Sequence, residues 1–192
     1  MFESRDEIIK NRSVINDDWA LLRLDEDEAA DTVAIPAGKV IVPLAVWQAQ
    51  HAALAARLPD IGVWLAGDEQ PEALLDDIAK LTVIGVNFPK FTDGRGYSIA
   101  YNLRTRLGYQ GELRAIGDVL RDQLFSMSRV GFDAFATRPD RSIHDALKGL
   151  SDFSETYQAA WDQKMPLFRR HQRQTSDSQH LQHPDADIAS GI

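Results

Sequence analysis

The sequence predicts an α/β fold: a parallel (βα)5-like sheet, open or a half-barrel, with an N-terminal strand extension and a C-terminal helix. Two observations carry this expectation. Short apolar runs of strand length recur about every twenty residues between Lys39 and Thr137, and residues at helical spacing separate them. A strand–helix–strand rhythm of that length returns the chain to the same edge, which makes successive strands pair in parallel. The expected organisation is one α/β domain over 1–168 and a disordered tail over 169–192, where Gln, His, Ser and Asp replace large apolar residues.

Taken in order, Ser13 to Leu22 is expected to hold two short strands around an Asn16-Asp17-Asp18 turn, and the acidic run Asp25 to Glu28 reads as an exposed loop. Lys39–Leu44 is the first core strand, with Pro43 marking its end. Ala45–Leu58 follows at helical spacing. Ile61–Ala66 is the second strand, and Pro71 opens a helix over Glu72–Lys80. Thr82–Phe88 is the third strand and Tyr97–Leu107 its helix, closed by Gly108. Glu112–Gly117 is the fourth strand, followed by a helix over Val119–Val130 closed by Gly131. Phe132–Thr137 is the fifth. Ile143, Leu147, Leu150, Phe153, Tyr157 and Trp161 recur at three and four, which predicts an amphipathic helix across Ser142–Leu167, broken near Gly149.

Composition narrows the chemistry. The chain has 192 residues and no cysteine, which excludes disulfides, thiolate metal sites and thiol redox cycles. Met1 to Asn16 mixes acidic and basic residues with no apolar core, so no signal peptide is expected there, and no apolar run approaches bilayer length. A cytoplasmic location with no membrane partner follows as an expectation. A net charge of −8 disfavours nucleic acid, whose binding depends on neutralising phosphates. The charge is uneven, however. Residues 1–35 carry four basic residues against ten acidic ones, whereas residues 88–141 carry nine against six. A locally basic centre in an acidic shell suits a small anionic ligand.

Parallel α/β folds bind ligands beyond the carboxyl ends of their strands. That rule selects the segments after strands three, four and five, which hold Lys90, Asp93, Gly94, Arg95, Gly96 and Ser98, then Asp118 and Arg121, then Arg138. The segments after strands one and two contain no basic residue. In Asp93-Gly94-Arg95-Gly96 the glycines would let backbone amides approach an oxyanion at a helix start, with Lys90 or Arg95 supplying charge. Alternatively, they make only a tight turn. A dinucleotide fingerprint is absent because Ile99 stands where the third glycine belongs. Arg95→Ala and Gly96→Val should therefore weaken anion binding and leave the fold intact. Asp118 reads as a helix N-cap, and Arg114 is expected to need a carboxylate, either Asp133 or Asp93. His51 and His144 are isolated, and the remaining histidines lie in the tail, so no metal site is expected.

These residues resemble a bacterial family of unknown function, DUF934. The resemblance rests on Phe88-Pro89-Lys90-Phe91, Asp93-Gly94-Arg95-Gly96, Gly108-Tyr109, Gly111-Glu112-Leu113-Arg114-Ala115, Gly117-Asp118, Arg121-Asp122-Gln123 and Arg129-Val130-Gly131-Phe132-Asp133-Ala134-Phe135. It spans about Asp17 to Ala136 and is strongest over 84–138. It implies a companion of the assimilatory sulfite and phosphoadenylyl-sulfate reductases, labelled an oxidoreductase of sulfite reduction. It carries over no catalytic residue and no cofactor. An enzyme of that kind would borrow its redox centre. The alternative is a non-catalytic delivery protein that docks on sulfite reductase or phosphoadenylyl-sulfate reductase through its acidic N-terminal portion.

Overall fold

The structure, a computed structural model, describes residues 1–170, and the tail expected to be disordered lies outside them from residue 171 onward. Among the described residues, nine strands form one mixed sheet: β1 (Phe2–Ser4), β2 (Glu7–Lys10), β3 (Ser13–Asn16), β4 (Ala20–Leu22), β5 (Val40–Pro43), β6 (Ile61–Leu65), β7 (Val83–Phe88), β8 (Glu112–Gly117) and β9 (Ala134–Phe135). Their order is β1-β4-β5-β6-β7-β8-β9-β2-β3. The run from β4 to β9 is parallel, so the five expected strands pair as their spacing implies. The sheet as a whole is not parallel, because β1 joins β4 and β2 joins β9 antiparallel, and β3 closes a hairpin on β2.

Chain length decides between an open sheet and a half-barrel. Eight strands from β1 to β2 make seven inter-strand steps, about 34 Å in a flat sheet. Yet only Arg5 and Asp6 separate Ser4 from Glu7, and three Cα steps reach no more than about 11 Å. The link from β3 to β4 is equally short, residues 17–19. Only a curled sheet brings its edges within that reach. The Asp17 amide donates to the Asp6 carbonyl at 3.0 Å, tying the two links together. The result is a curled, open half-barrel. It also corrects the expected pairing around Asn16-Asp17-Asp18: β3 and β4 both form, but they lie towards opposite edges of the sheet instead of against each other.

Successive strands advance in one direction, and the helices between Leu44 and Lys148 pack into one cluster with the sheet. The main core lies there, where Val42, Val63, Ile84, Val86, Leu113, Ala115 and Phe135 meet Trp47, Leu54, Leu103, Leu124 and Met127. A smaller cluster of Ile8, Leu21, Ile41, Val83, Ile116 and Ala136 occupies the concave side, packed against Trp19 and Trp64. With both faces covered, strands such as β5 are buried at every position and show no alternation.

The helices are α1 (Leu44–Ala49), α2 (His51–Ala55), α3 (Arg95–Thr105), α4 (Arg121–Val130), α5 (Ile143–Lys148) and α6 (Leu167–Arg170). Two expectations fail. The segment after Pro71 is a single 3-10 turn, Pro71–Leu74, instead of a helix to Lys80. The expected helix over Ser142–Leu167 ends at Lys148, and after a 3-10 turn residues 152–166 run as an irregular strap. Arg129 provides the competing partners: it donates to Thr156 Oγ1 at 2.9 Å, the Gln158 carbonyl at 2.6 Å and Asp162 at 3.1 Å, while its own carbonyl accepts from Trp161 N. Groups that would close helical turns are satisfied by α4 instead.

Candidate functional site

The carboxyl ends of the parallel strands form one rim. β8 ends at Gly117, whose φ of +94° and whose closeness to Phe88 (an added Cβ would lie 2.4 Å from that carbonyl) admit glycine alone. This turn delivers Asp118 to the centre of the rim. The Asp118 amide donates to the Phe88 carbonyl at 2.7 Å. Its carboxylate accepts from Phe91 N at 2.8 Å and from Arg138 at 3.2 Å. One side chain thus ties the segments after β7, β8 and β9 together. Asp118 is not the expected helix cap, because Leu120 occupies that position and the Gln123 side chain accepts from its amide at 3.0 Å. Gln123 also donates to the Phe91 carbonyl at 3.2 Å, a second tie that the sequence did not single out.

Arg95 links a further pair of segments. Its guanidinium lies against the Gly67 backbone after β6, about 3.0 Å from where a Cβ there would stand. It is held by Asp93 at 2.6 Å. Asp93 also accepts from the Arg95 amide at 3.1 Å, so its carboxylate already sits at the start of α3. Hydrogen bonds from the Arg95 side chain and backbone pull the Asp93 pKa down to about 2. The two glycines play different roles from the expected one. Gly94 has φ −88°, open to any residue, with nothing within 4 Å of an added Cβ. Gly96 is buried, and a Cβ there would stand 2.6 Å from the Phe88 ring, so its bareness seats α3 on β7. The expectation that Gly96→Val leaves the fold intact is therefore corrected. Ser98 and Lys90 are exposed.

The remaining arginines each face carboxylates of their own. Arg138 makes a fork with Asp140 at 2.8 and 2.9 Å, and these bonds, with that to Asp118, raise its pKa. Arg121 reaches Asp152 at 3.0 Å and Asp145 at 3.8 Å, on the helical side of the rim. The predicted cations therefore share a rim but do not form one bare cluster. Two cavities bring part of them together. One of about 330 Å³ is lined by Arg5, Thr137, Arg138, Pro139 and Arg141 together with Asp6 and Glu7; its neighbour, about 210 Å³, is lined by Val119, Arg121, Thr137, Arg141 and Ser142 together with Asp122 and Asp145. Thr137 and Arg141 belong to both. Lys90, Asp93, Arg95 and Ser98 line neither.

Sequence reasoning missed Arg5 and the concave face behind it. Arg5 donates to the Thr137 carbonyl, and burial lowers its pKa. Arg23 joins Glu3 at 2.8 Å and Asn87 at 3.3 Å and lies 5.6 Å from the centroid of the Trp64 ring. Arg114 pairs with Asp17 at 2.8 Å and Glu112 at 2.6 Å, all nearly inaccessible, in place of the expected Asp133 or Asp93. Asp133, just before β9, pairs with Arg104 at 2.9 Å. Two basic residues inside an acidic leader were the available signal, but their partners are remote in sequence.

Among the described residues, no group of three or more metal-ligating side chains comes together, and no helix is long and apolar enough to cross a membrane. A search of the curated proteins and of the solved structures returns no match to the chain. One family profile, bacterial protein of unknown function (DUF934), matches residues 62–168, which begins later than the resemblance read from the sequence and runs past Ala136 through the strap. That stretch covers β6 (from its second residue) to β9, the rim segments after β6, β7, β8 and β9 and more than half of the chain, and so the protein belongs to the DUF934 family.

Proposed function

We propose that this protein serves the reduction of sulfite in sulfate assimilation, by binding a small oxyanion or a phosphorylated ligand at the rim. The observation that supports the reading is the pair of adjoining cavities that share Thr137 and Arg141 and have Arg5, Arg121 and Arg138 in their walls, beside Asp6, Glu7, Asp122 and Asp145. Arginine forks match the planar pair of oxygens that a sulfite, sulfate or phosphate group presents. Exposed arginine–carboxylate pairs are worth about 0–1 kcal/mol, so a ligand can displace Asp140 or Asp145 at little cost. Lys90, Asp93, Gly94, Arg95, Gly96 and Ser98 then form the flank of the site, and Asp118 holds the segments in register. The sulfite assignment draws on the resemblance over residues 84–138. Calorimetric titration with sulfite, sulfate and phosphate tests the site. Binding is expected to weaken at least tenfold in Arg138→Ala and Arg141→Ala, and equal affinity in all three proteins would remove it.

A second reading, a non-catalytic partner of sulfite reductase or phosphoadenylyl-sulfate reductase, is favoured by the strap. Phe153, Tyr157 and Met165 there, and Phe168 in α6 just beyond it, are more than half exposed, a concentration of apolar surface. Flavin-like absorbance in the purified protein would favour an oxidoreductase with a borrowed centre. A colourless protein that co-purifies with the reductase would favour the partner. Failure of a deletion strain to grow on sulfate, relieved by cysteine, places either role in the pathway.

A further inference from the structure

The opposite end of the half-barrel holds a cavity that the rim does not explain. It measures about 420 Å³ and lies between the β2–β3 hairpin tip, the ends of α3 and α4, and the strap. Phe132, Phe135 and Leu150 form an apolar floor, and Arg12, Gln110, Ser128 and Trp161 stand around it. Its charges are matched with one exception. Arg104 is held by Asp133 at 2.9 Å, and Asp162 by Arg129 at 3.1 Å. Arg12 has no carboxylate partner among the described residues; its one hydrogen bond goes to the Leu150 carbonyl at 3.3 Å. It also lines a second cavity, which it shares with Leu147, Lys148, Leu150, Ser151 and Asp152.

The backbone beneath Arg12 is costly. Asn11 and Arg12 form a two-residue hairpin loop with φ of +48° and +63°. Such a loop favours glycine at its second position, and a long side chain there is strained. Strained residues of this kind cluster at ligand-binding and active sites. From the unmatched cation, the apolar floor and the strained turn, we propose that this cavity is a second binding site. It takes a small organic carboxylate, with an apolar body on Phe132, Phe135 and Leu150 and its charge against Arg12.

Benzoate is the probe, titrated calorimetrically into the full chain, with benzyl alcohol as its uncharged counterpart. Benzoate is expected to bind at least tenfold more tightly than benzyl alcohol. Arg12→Gly and Arg12→Asn, both suited to the left-handed turn, should each lose at least tenfold in benzoate affinity while Arg138→Ala keeps it. Unchanged affinity in both Arg12 variants would overturn the proposal. So would equal binding of benzyl alcohol, or equally tight displacement of benzoate by inorganic phosphate. Loss of benzoate binding in Arg138→Ala alone would assign the probe to the rim instead.

Discussion

Arginines hold both the interior and the rim of this protein, yet they do so on different energetic terms. Arg104 and Arg114 have side chains 4% and 3% exposed, and each reaches a carboxylate from a distant segment, Asp133 and Asp17, with Glu112 beside Arg114 on its own strand. Arg95, Arg121 and Arg138 are 58%, 45% and 40% exposed; Arg95 and Arg138 face Asp93 and Asp140 in their own turns, and Arg121 faces Asp152 from the strap. A buried pair cannot be opened without stranding a charge in a poor solvent. An exposed pair opens readily because water replaces the lost partner. The interior arginines therefore fix the shape of the half-barrel, and the rim arginines remain available to a ligand.

The contrast is tested most severely at Arg114. Arg114→Ala leaves Asp17 and Glu112 buried without their cation and should cost about 3–5 kcal/mol in denaturant unfolding; a loss under about 1 kcal/mol would erase the distinction. Gly96→Ala should cost about 1–3 kcal/mol through overpacking on Phe88, measured the same way. Arg12→Gly should raise stability by about 1 kcal/mol, since it relieves a left-handed backbone. Arg138→Ala should leave the denaturant midpoint close to the parent's while anion binding falls, which separates the rim from the frame.

The smallest effect is a matter of pH. The folded pKa of Asp93, about 2, lies below its ordinary 3.8. Stabilisation from its pairing with Arg95 is thus fully present above pH 3.8 and disappears as the pH falls towards 2. Carboxyl NMR titration should find this depressed midpoint, and Arg95→Ala should return it towards 3.8. An unchanged midpoint would mean that Arg95 does not hold Asp93.

Much of the fold was legible because it is local. The runs at Val40–Pro43, Ile61–Leu65, Val83–Phe88 and Glu112–Gly117 are almost wholly buried, as strands covered on both faces must be. The choice of rim followed from parallel pairing. Periodicity misled at Ser142–Leu167, where Phe153, Tyr157 and Trp161 keep helical spacing. The backbone there instead finds partners on Arg129, a residue no local window includes. Asp118 was singled out for the wrong role. Its type and position suit a cap, but the turn at Gly117 aims it at Phe91 and Arg138.

Local pattern alone was enough for the alternation of strands and helices, the parallel core and the three polar segments at one end, because each depends on residues within about twenty positions. Three features came only with the folded chain: the sheet curls, Arg5 and Arg23 from the leader enter the concave side, and Arg114 meets Asp17 ninety-seven residues away. The physical reason is that β4 and β2, which carry β1 and β3 on their outer sides, dock on edges made by the later strands β5 and β9. No pattern within the leader names those edges.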